Sequence, residues 1–291
     1  MKIILFGKNG QLAQQIINDF QNNFNLIVFG SDQINFQDNI KLKDIIITQK
    51  PDFVINTAAF TNVDLAESQA DYALKINGAA VLTIAIACKE INATLIHFST
   101  DYVFDGKQSI PYKETDNTNP LNIYGYSKLK GELNIIKSGC NYLIFRVAWL
   151  VSTYNKNFIK TIVTKLKNGD MLKIVNDQIG TPTDTRLIVK IIKKILISKS
   201  LPSKQIFHLT SKGAISWYGI AKYISEKCKK QNVIIHKSQI KSIKTKEYKS
   251  IALRPKYSIL SHEKIEKTFN IRIPQWKKSI DYIIDFYIKT I

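Results

Sequence analysis

A short apolar run, Ile3-Ile4-Leu5-Phe6, breaks at Gly7-Lys8-Asn9-Gly10-Gln11-Leu12-Ala13, and beyond the break Ile16, Ile17 and Phe20 recur at helical spacing. Strand, tight glycine turn and helix in that order commit the start of the chain to an α/β unit, because a continuously apolar strand has to be covered on both faces. The glycines let the backbone pass close to a diphosphate. The helix start offers unpaired N–H groups at the positive end of its dipole, and the small Ala13 lets helix and strand pack closely. Gly7, Asn9, Gly10, Gln11 and Leu12 are therefore expected to bind a dinucleotide cofactor. The spacing is G-x-x-G-x-x-A, not the G-x-G-x-x-G of ordinary dehydrogenases.

The rest of the chain repeats the alternation. Strands are expected over 26–29, 51–56, 94–98 and 142–147, with a long helix over about 71–90 between the second and third of them. This predicts a Rossmann-type doubly wound parallel sheet with ligands at the carboxyl ends of its strands. The second strand ends in Gly30-Ser31-Asp32. Asp32 is displaced from the position where an acid usually meets the adenosine ribose, and Lys8 is in reach of a 2′-phosphate. Ser31 is then an expected cofactor contact and NADPH the expected cofactor, with NADH also open. Ala58 and Ala59, small residues after the third strand, let the cofactor lie across the sheet edge.

From residue 157 the texture changes: helix 157–167, strand 172–175, a polar turn over 176–183, helix 184–198, strand 205–208, helix 216–229 and a terminal amphipathic helix. The expected division is a dinucleotide-binding domain over 1–149, with about 184–209 returning to it. A smaller C-terminal substrate-binding lobe takes about 150–183 and 210–291.

The chemistry is expected between residues 99 and 128. The fourth strand ends in the hydroxyl residues Ser99 and Thr100, and a helix then opens with Tyr124 and Lys128 one turn apart. Tyr-x-x-x-Lys also occurs at Tyr126/Lys130, Tyr218/Lys222 and Tyr223/Lys227, but only the first and its overlapping neighbour follow such a strand end. Tyr126 lies about 200° round the helix from Tyr124, so the two cannot share a face. A Lys ammonium one turn away is expected to lower the Tyr124 pKa and make it a general acid towards a ketone oxygen. Lys128 would also hold the cofactor ribose, and Thr100 would donate to the same ketone oxygen. Ser99 is expected to be structural.

The formal charge of +19 raises the question of a polyanionic partner. The lysines are scattered as well as clustered, and the densest runs, 190–199 and 237–249, fit solvated faces, so no nucleic acid is expected. Cys88, Cys140 and Cys228 lie far apart, which fits a reduced, cytoplasmic setting without a disulfide framework or zinc site. The first apolar run is too short for a signal peptide, and no later stretch is expected to reach the length of a membrane span.

Several stretches together resemble the extended short-chain dehydrogenase/reductases, and among them those that reduce dTDP sugars. These are residues 6–12, Asn56-Thr57-Ala58-Ala59-Phe60-Thr61-Asn62-Val63-Asp64, Ser99-Thr100-Asp101-Tyr102-Val103-Phe104-Asp105-Gly106, Tyr124-Gly125-Tyr126-Ser127-Lys128 with Gly131-Glu132, residues 146–149, Asp177-Gln178-Ile179-Gly180-Thr181-Pro182-Thr183 and Ser216-Trp217-Tyr218. The resemblance implies a catalytic triad of Thr100, Tyr124 and Lys128, sugar contacts from Tyr102 and Trp149, and Arg254 near the nucleotide end of the site. It implies reduction of the C4 ketone of a dTDP-linked 6-deoxy-4-hexulose. Another nucleotide-sugar 4-reductase or an epimerase, or a regulatory subunit that keeps the fold without the chemistry, stays open. Gln15 stands where some members carry a Glu that helps bind magnesium between subunits. No metal is therefore expected, and a homodimer is left open.

Overall fold

The computed structural model describes residues 1–198, 201–233 and 240–290; Lys199 and Lys237, at the edges of the two basic runs, lie outside the described residues. In chain order the elements that frame the site begin with β1 (Lys2–Phe6), α1 (Gln11–Phe20), β2 (Asn25–Phe29), α2 (Asn39–Gln49) and β3 (Phe53–Asn56). They continue through α3 (Val63–Ser68), α4 (Ala70–Glu90), β4 (Thr94–Thr100), α5 (Ile123–Ser138) and β5 (Asn141–Val147). The later part holds α6 (Phe158–Lys167), β6 (Leu172–Val175), α7 (Thr185–Leu196), β7 (Gln205–His208), α8 (Trp217–Lys230), β8 (Ile240–Ile243), α9 (Glu263–Phe269) and α10 (Trp276–Thr290).

Six strands form one sheet in the order β7-β5-β4-β3-β1-β2, every pair parallel. The chain leaves β1 towards β2 and then returns past it to β3, so the winding reverses between β1 and β3. At such a reversal the loops leaving neighbouring strands turn to opposite faces and open a crevice at the carboxyl ends. The register places Ser99 opposite Arg146 and Thr100 opposite Val147, so the hydroxyl pair sits at the top edge of the sheet.

Both faces are sealed. On one, Leu12, Ala13, Ile16 and Phe20 of α1 pack with Ile188, Ile191, Ile192 and Ile195 of α7 over Ile3, Leu5 and Phe145 of the strands. On the other, Leu42 and Ile46 of α2, Val81, Ile84 and Cys88 of α4 and Ile135 of α5 cover Ile4, Val54 and Ile144. A separate apolar cluster joins α6, α8 and α10 through Ile159, Ile162, Ile220, Ile224, Ile280 and Ile283.

One helix that the sequence does not announce and three departures from expectation have local causes. Helix α2 shows weak periodicity, because only Leu42 and Ile46 are buried while Ile40 is exposed; its start is fixed instead by Asp38, whose carboxylate accepts the Lys41 N–H. The polar turn over 176–183 carries two short ladders, Ile179–Gly180 against Ile215–Ser216 and Thr183–Asp184 against Leu150–Val151. Ala70–Glu90 is one unbroken helix, widened over Lys75–Ala79, and by length and composition it could cross a membrane, contrary to the expectation that no stretch reaches that length. It packs against α2 and α5 instead. Finally, Ile265 of α9 and Ile273 join the sheet-side core, so part of the C-terminal segment covers the sheet and does not belong with the smaller cluster.

Candidate active site

The crevice at the winding reversal is built from the loops after β1 and β3. Gly7 has φ +98, and a Cβ there would come within 2.6 Å of Thr57 Oγ1 and 2.7 Å of Ala58 N, so only glycine lets the two loops touch. Gly10, by contrast, meets only the Gly7 carbonyl, at 3.3 Å. It starts α1 without a side-chain cap, leaving the first N–H groups of the helix for an outside acceptor. A cavity of about 410 Å3 follows, lined by Gly7, Asn9, Gly10, Ser31, Ala58 and Ala59 among others. Asp32 is turned back over Gly30.

This cavity runs into a second of about 420 Å3, sharing Gly10, Thr57, Ala59 and Thr61 with it. Gln11, Leu12, Thr100, Tyr102, Tyr124, Lys128 and Trp149 line the second. The structure thus brings the expected cofactor residues and the expected triad into one continuous cleft. Tyr126 is 41% exposed on the opposite side of the helix.

Helix α5 reaches the cleft because of its first turn. Asn122 caps it, its Oδ1 accepting the Gly125 N–H at 2.8 Å, and its amide donates to the Leu253 carbonyl at 2.7 Å. At Gly125 a Cβ would stand 2.2 Å from the Tyr102 carbonyl oxygen, so a bare backbone is what seats the helix on the loop after β4. Tyr102 and Tyr124 then meet edge to face, with ring centroids 5.8 Å apart. Thr100 Oγ1 accepts the Tyr102 N–H at 3.2 Å and donates to Asp101 Oδ1 at 3.1 Å.

The electrostatics correct one expectation. Burial pushes the Tyr124 phenol up to about 12, a hydrogen bond with Thr100 opposes this, and Lys128 is not among the groups that shift it. Lys128 is itself buried, and burial brings it down to about 8 against the opposing charge of Glu132. Its Nζ donates to the Phe98 carbonyl at 2.7 Å and lies 3.3 Å from His97 Nε2. A desolvated amine turned to the strand is a poor source of field at the phenol. Asp101 is wholly buried, and its carboxyl is raised to about 6 by that burial.

Trp149 ends the β5 connection with φ +46 and stacks on Trp217, centroids 3.6 Å apart at 11°. Trp217 is not among the contacts expected from the sequence; its signals there are the Ser216-Trp217-Tyr218 stretch of the resemblance and its place directly after Ser216, which caps α8 by accepting the Gly219 N–H. Trp217 and Tyr102 line both the triad cavity and a third of about 450 Å3, which Gln178, Tyr248 and Arg254 also line. Arg254 reaches this space while donating to Asp64 Oδ2 at 2.8 Å, and Asp64 is held down to about 2, chiefly by that bond. Among the described residues no group of three or more His, Cys, Asp and Glu is placed to hold a metal ion.

The family model described as the RmlD substrate binding domain matches residues 1–288. A dTDP-4-dehydrorhamnose reductase of Burkholderia thailandensis is 36% identical over 288 residues, covering 96% of this chain and 97% of its own. That of Escherichia coli K12 is 33% identical over 291 residues, covering 98% and 97%. The crystal structure of the Bacillus anthracis dTDP-4-dehydrorhamnose reductase in complex with NADP matches with a TM-score of 0.90 at 30% identity, over 98% of this chain and 99% of that one.

Proposed function

We propose, from the premise that this chain belongs to the RmlD substrate binding domain family, that it reduces the C4 ketone of dTDP-4-dehydro-L-rhamnose to dTDP-L-rhamnose at the expense of NADPH. The observation that carries the reading is the single cleft in which the uncapped start of α1 and the Gly7 cradle open directly onto Thr100, Tyr124 and Lys128.

The residues present fit the dinucleotide. Gly7, Asn9, Gly10, Gln11 and Leu12 would hold the diphosphate, Ser31 the adenosine ribose end, and Ala58 and Ala59 the wall beneath it. Nothing acidic lines the cavity at Ser31, which removes the repulsion an acid would offer a 2′-phosphate. NADH is accommodated by the same walls. When bound, NADPH supplies the hydride that the C4 carbon takes up. Tyr124 keeps its proton throughout the neutral range, because burial makes the phenolate unfavourable, and it gives that proton to the C4 oxygen as negative charge builds there. Thr100, lining the same cavity, would make the oxygen's second contact. Lys128, which lines the same cavity, would hold the nicotinamide ribose. Trp149, stacked on Trp217, would close over the sugar, with Tyr102 beside it. Arg254 would meet the nucleotide diphosphate in the third cavity, its guanidinium already oriented by Asp64.

The buried free thiols of Cys88, Cys140 and Cys228 support a reduced, cytoplasmic setting. The partner in this reading is the dTDP sugar, with no role for nucleic acid or a membrane, and light scattering on the purified protein tests for a homodimer. The deciding experiment follows NADPH and NADH oxidation with dTDP-4-keto-6-deoxyglucose, with and without a 3,5-epimerase, and identifies the product by NMR. Oxidation that needs the epimerase and yields dTDP-L-rhamnose is the expected result. No oxidation, or a product epimerised with the cofactor unchanged, overturns it.

A further inference from the structure

His97 lies within β4, wholly buried beneath the cleft, and the chemistry above makes no use of it. Its ring is held at both ends. Nδ1 is 3.2 Å from Asn56 Nδ2 on β3, and Nε2 is 3.3 Å from Lys128 Nζ on α5. Asn56 decides which nitrogen carries the proton. Its Oδ1 accepts the Ala58 N–H at 3.1 Å, so the amide cannot turn over without setting its NH2 against that donor. The NH2 therefore donates to Nδ1, which must offer a lone pair. The proton of the neutral ring then sits on Nε2, aimed at Lys128.

Lys128 Nζ separately donates to the Phe98 carbonyl at 2.7 Å. An ammonium in this place would face the Nε2–H donor to donor. A neutral amine accepts it on its lone pair and keeps one N–H for Phe98 and one for the cleft. Only the neutral amine gives each polar atom from Ala58 through Asn56, His97 and Lys128 to Phe98 a complementary partner, which a buried set requires. The other titratable groups near Lys128 are Glu132, one turn along α5 and paired with Arg146 of β5 at 2.7 Å, Tyr124 one turn back, and Asp101 beyond the end of β4. From α4, Asn77 brings only an amide, bonded to Ser127.

We propose that His97 is a positioning residue for Lys128: its tautomer, fixed by Asn56, favours the neutral amine of Lys128 over the ammonium in the cofactor-free cleft, and oxygen acceptors facing it from the cleft side favour the ammonium. The part played in turnover rests on the reductase reading; the proton state does not.

Nitrogen-15 NMR of the cofactor-free protein reads the tautomer, and the Cε shift of Lys128 in 13C-lysine-labelled protein, assigned with Lys128→Met, reads its titration. The expected result is a pyridine-type Nδ1, a pyrrole-type Nε2 and a Lys128 midpoint well below the surface lysines. Asn56→Asp places a carboxylate against Nδ1, reverses the tautomer, and is expected to raise that midpoint by about one pH unit or more. On a His97→Leu background, where no ring relays the change, the same substitution should raise it far less. A pyrrole-type Nδ1 in the unsubstituted protein, a Lys128 midpoint among the surface lysines, or an equal rise in both backgrounds overturns the proposal. The unsubstituted spectra decide it even if a variant fails to fold. The pH midpoint of kcat should follow that of Lys128 in Asn56→Asp, and an unmoved midpoint removes the role in turnover. An unsubstituted protein that reduces no dTDP sugar would instead sink the reductase reading, with the spectra still deciding what His97 does to Lys128.

Discussion

In the proposed reaction Tyr124 and the Trp149–Trp217 stack would divide the work of the cleft between proton transfer and holding the sugar, and each can be removed by one substitution. Tyr124→Phe keeps the ring that meets Tyr102 but has no proton to give; kcat should fall by about 10²–10⁴-fold while NADPH affinity, read by fluorescence titration, changes little. Trp149→Ala should raise the Kd of the dTDP sugar more than that of NADPH. Because Trp149 and Trp217 share one stacked face, Trp217→Ala should do the same, and the double variant should lose less than the two single losses combined, as calorimetric titration of a dTDP sugar would show. That Thr100, Tyr124 and Lys128 line one cleft was legible in the sequence, because a strand end and a helical turn fix their spacing locally. The stacking of Trp217 on Trp149 was not, since only tertiary packing brings the two together. His97 reads as one more member of an apolar strand, and its neighbours Asn56 and Lys128 come from two other elements.

Among the elements, α5 carries the proton donor and depends on its first turn. Asn122→Ala loses the cap on Gly125 and frees the Leu253 carbonyl, so the protein should be destabilised by about 1–2 kcal/mol in urea unfolding. The dTDP sugar should also bind more weakly, because the freed segment carries Arg254. An unchanged unfolding midpoint would mean that the helix start is held by packing alone. The strands of the sheet were legible because burial on both faces leaves uninterrupted apolar runs. Helix α2 has too few buried positions to show a period, and β8 is only four residues paired to β6, below what periodicity can distinguish. The length of α4 was seen, but not that its apolar surface is spent against α2 and α5.

The whole molecule carries a titration signature in its interior. Burial holds His97 and His208 far below the usual imidazole range and His262 at about 4, so below pH ~6.5 the unfolded chain binds up to three protons that the folded one refuses. This stability is fully present above that pH and is lost as pH falls. Asp101 acts oppositely: raised to about 6, it takes a proton in the folded state before the unfolded chain does, offsetting one of the three. Unfolding free energy should therefore drop by about 2–3 kcal/mol per pH unit at the steepest, near pH 5, and denaturant titrations across that range check it. A flat profile would mean that these imidazoles charge without unfolding the protein. The sheet itself has a further consequence for how the chain is made. The inner stripe of α1 and the strands under it are closed over by α7, β7 and part of the C-terminal segment, and even β7 leaves the ribosome some sixty residues after β5, the fifth strand of the same sheet. At roughly 5–20 residues per second, one face of a nearly complete sheet stands open to solvent for at least on the order of 3–12 seconds in every round of translation, and that bare face is where a nascent-chain chaperone would bind.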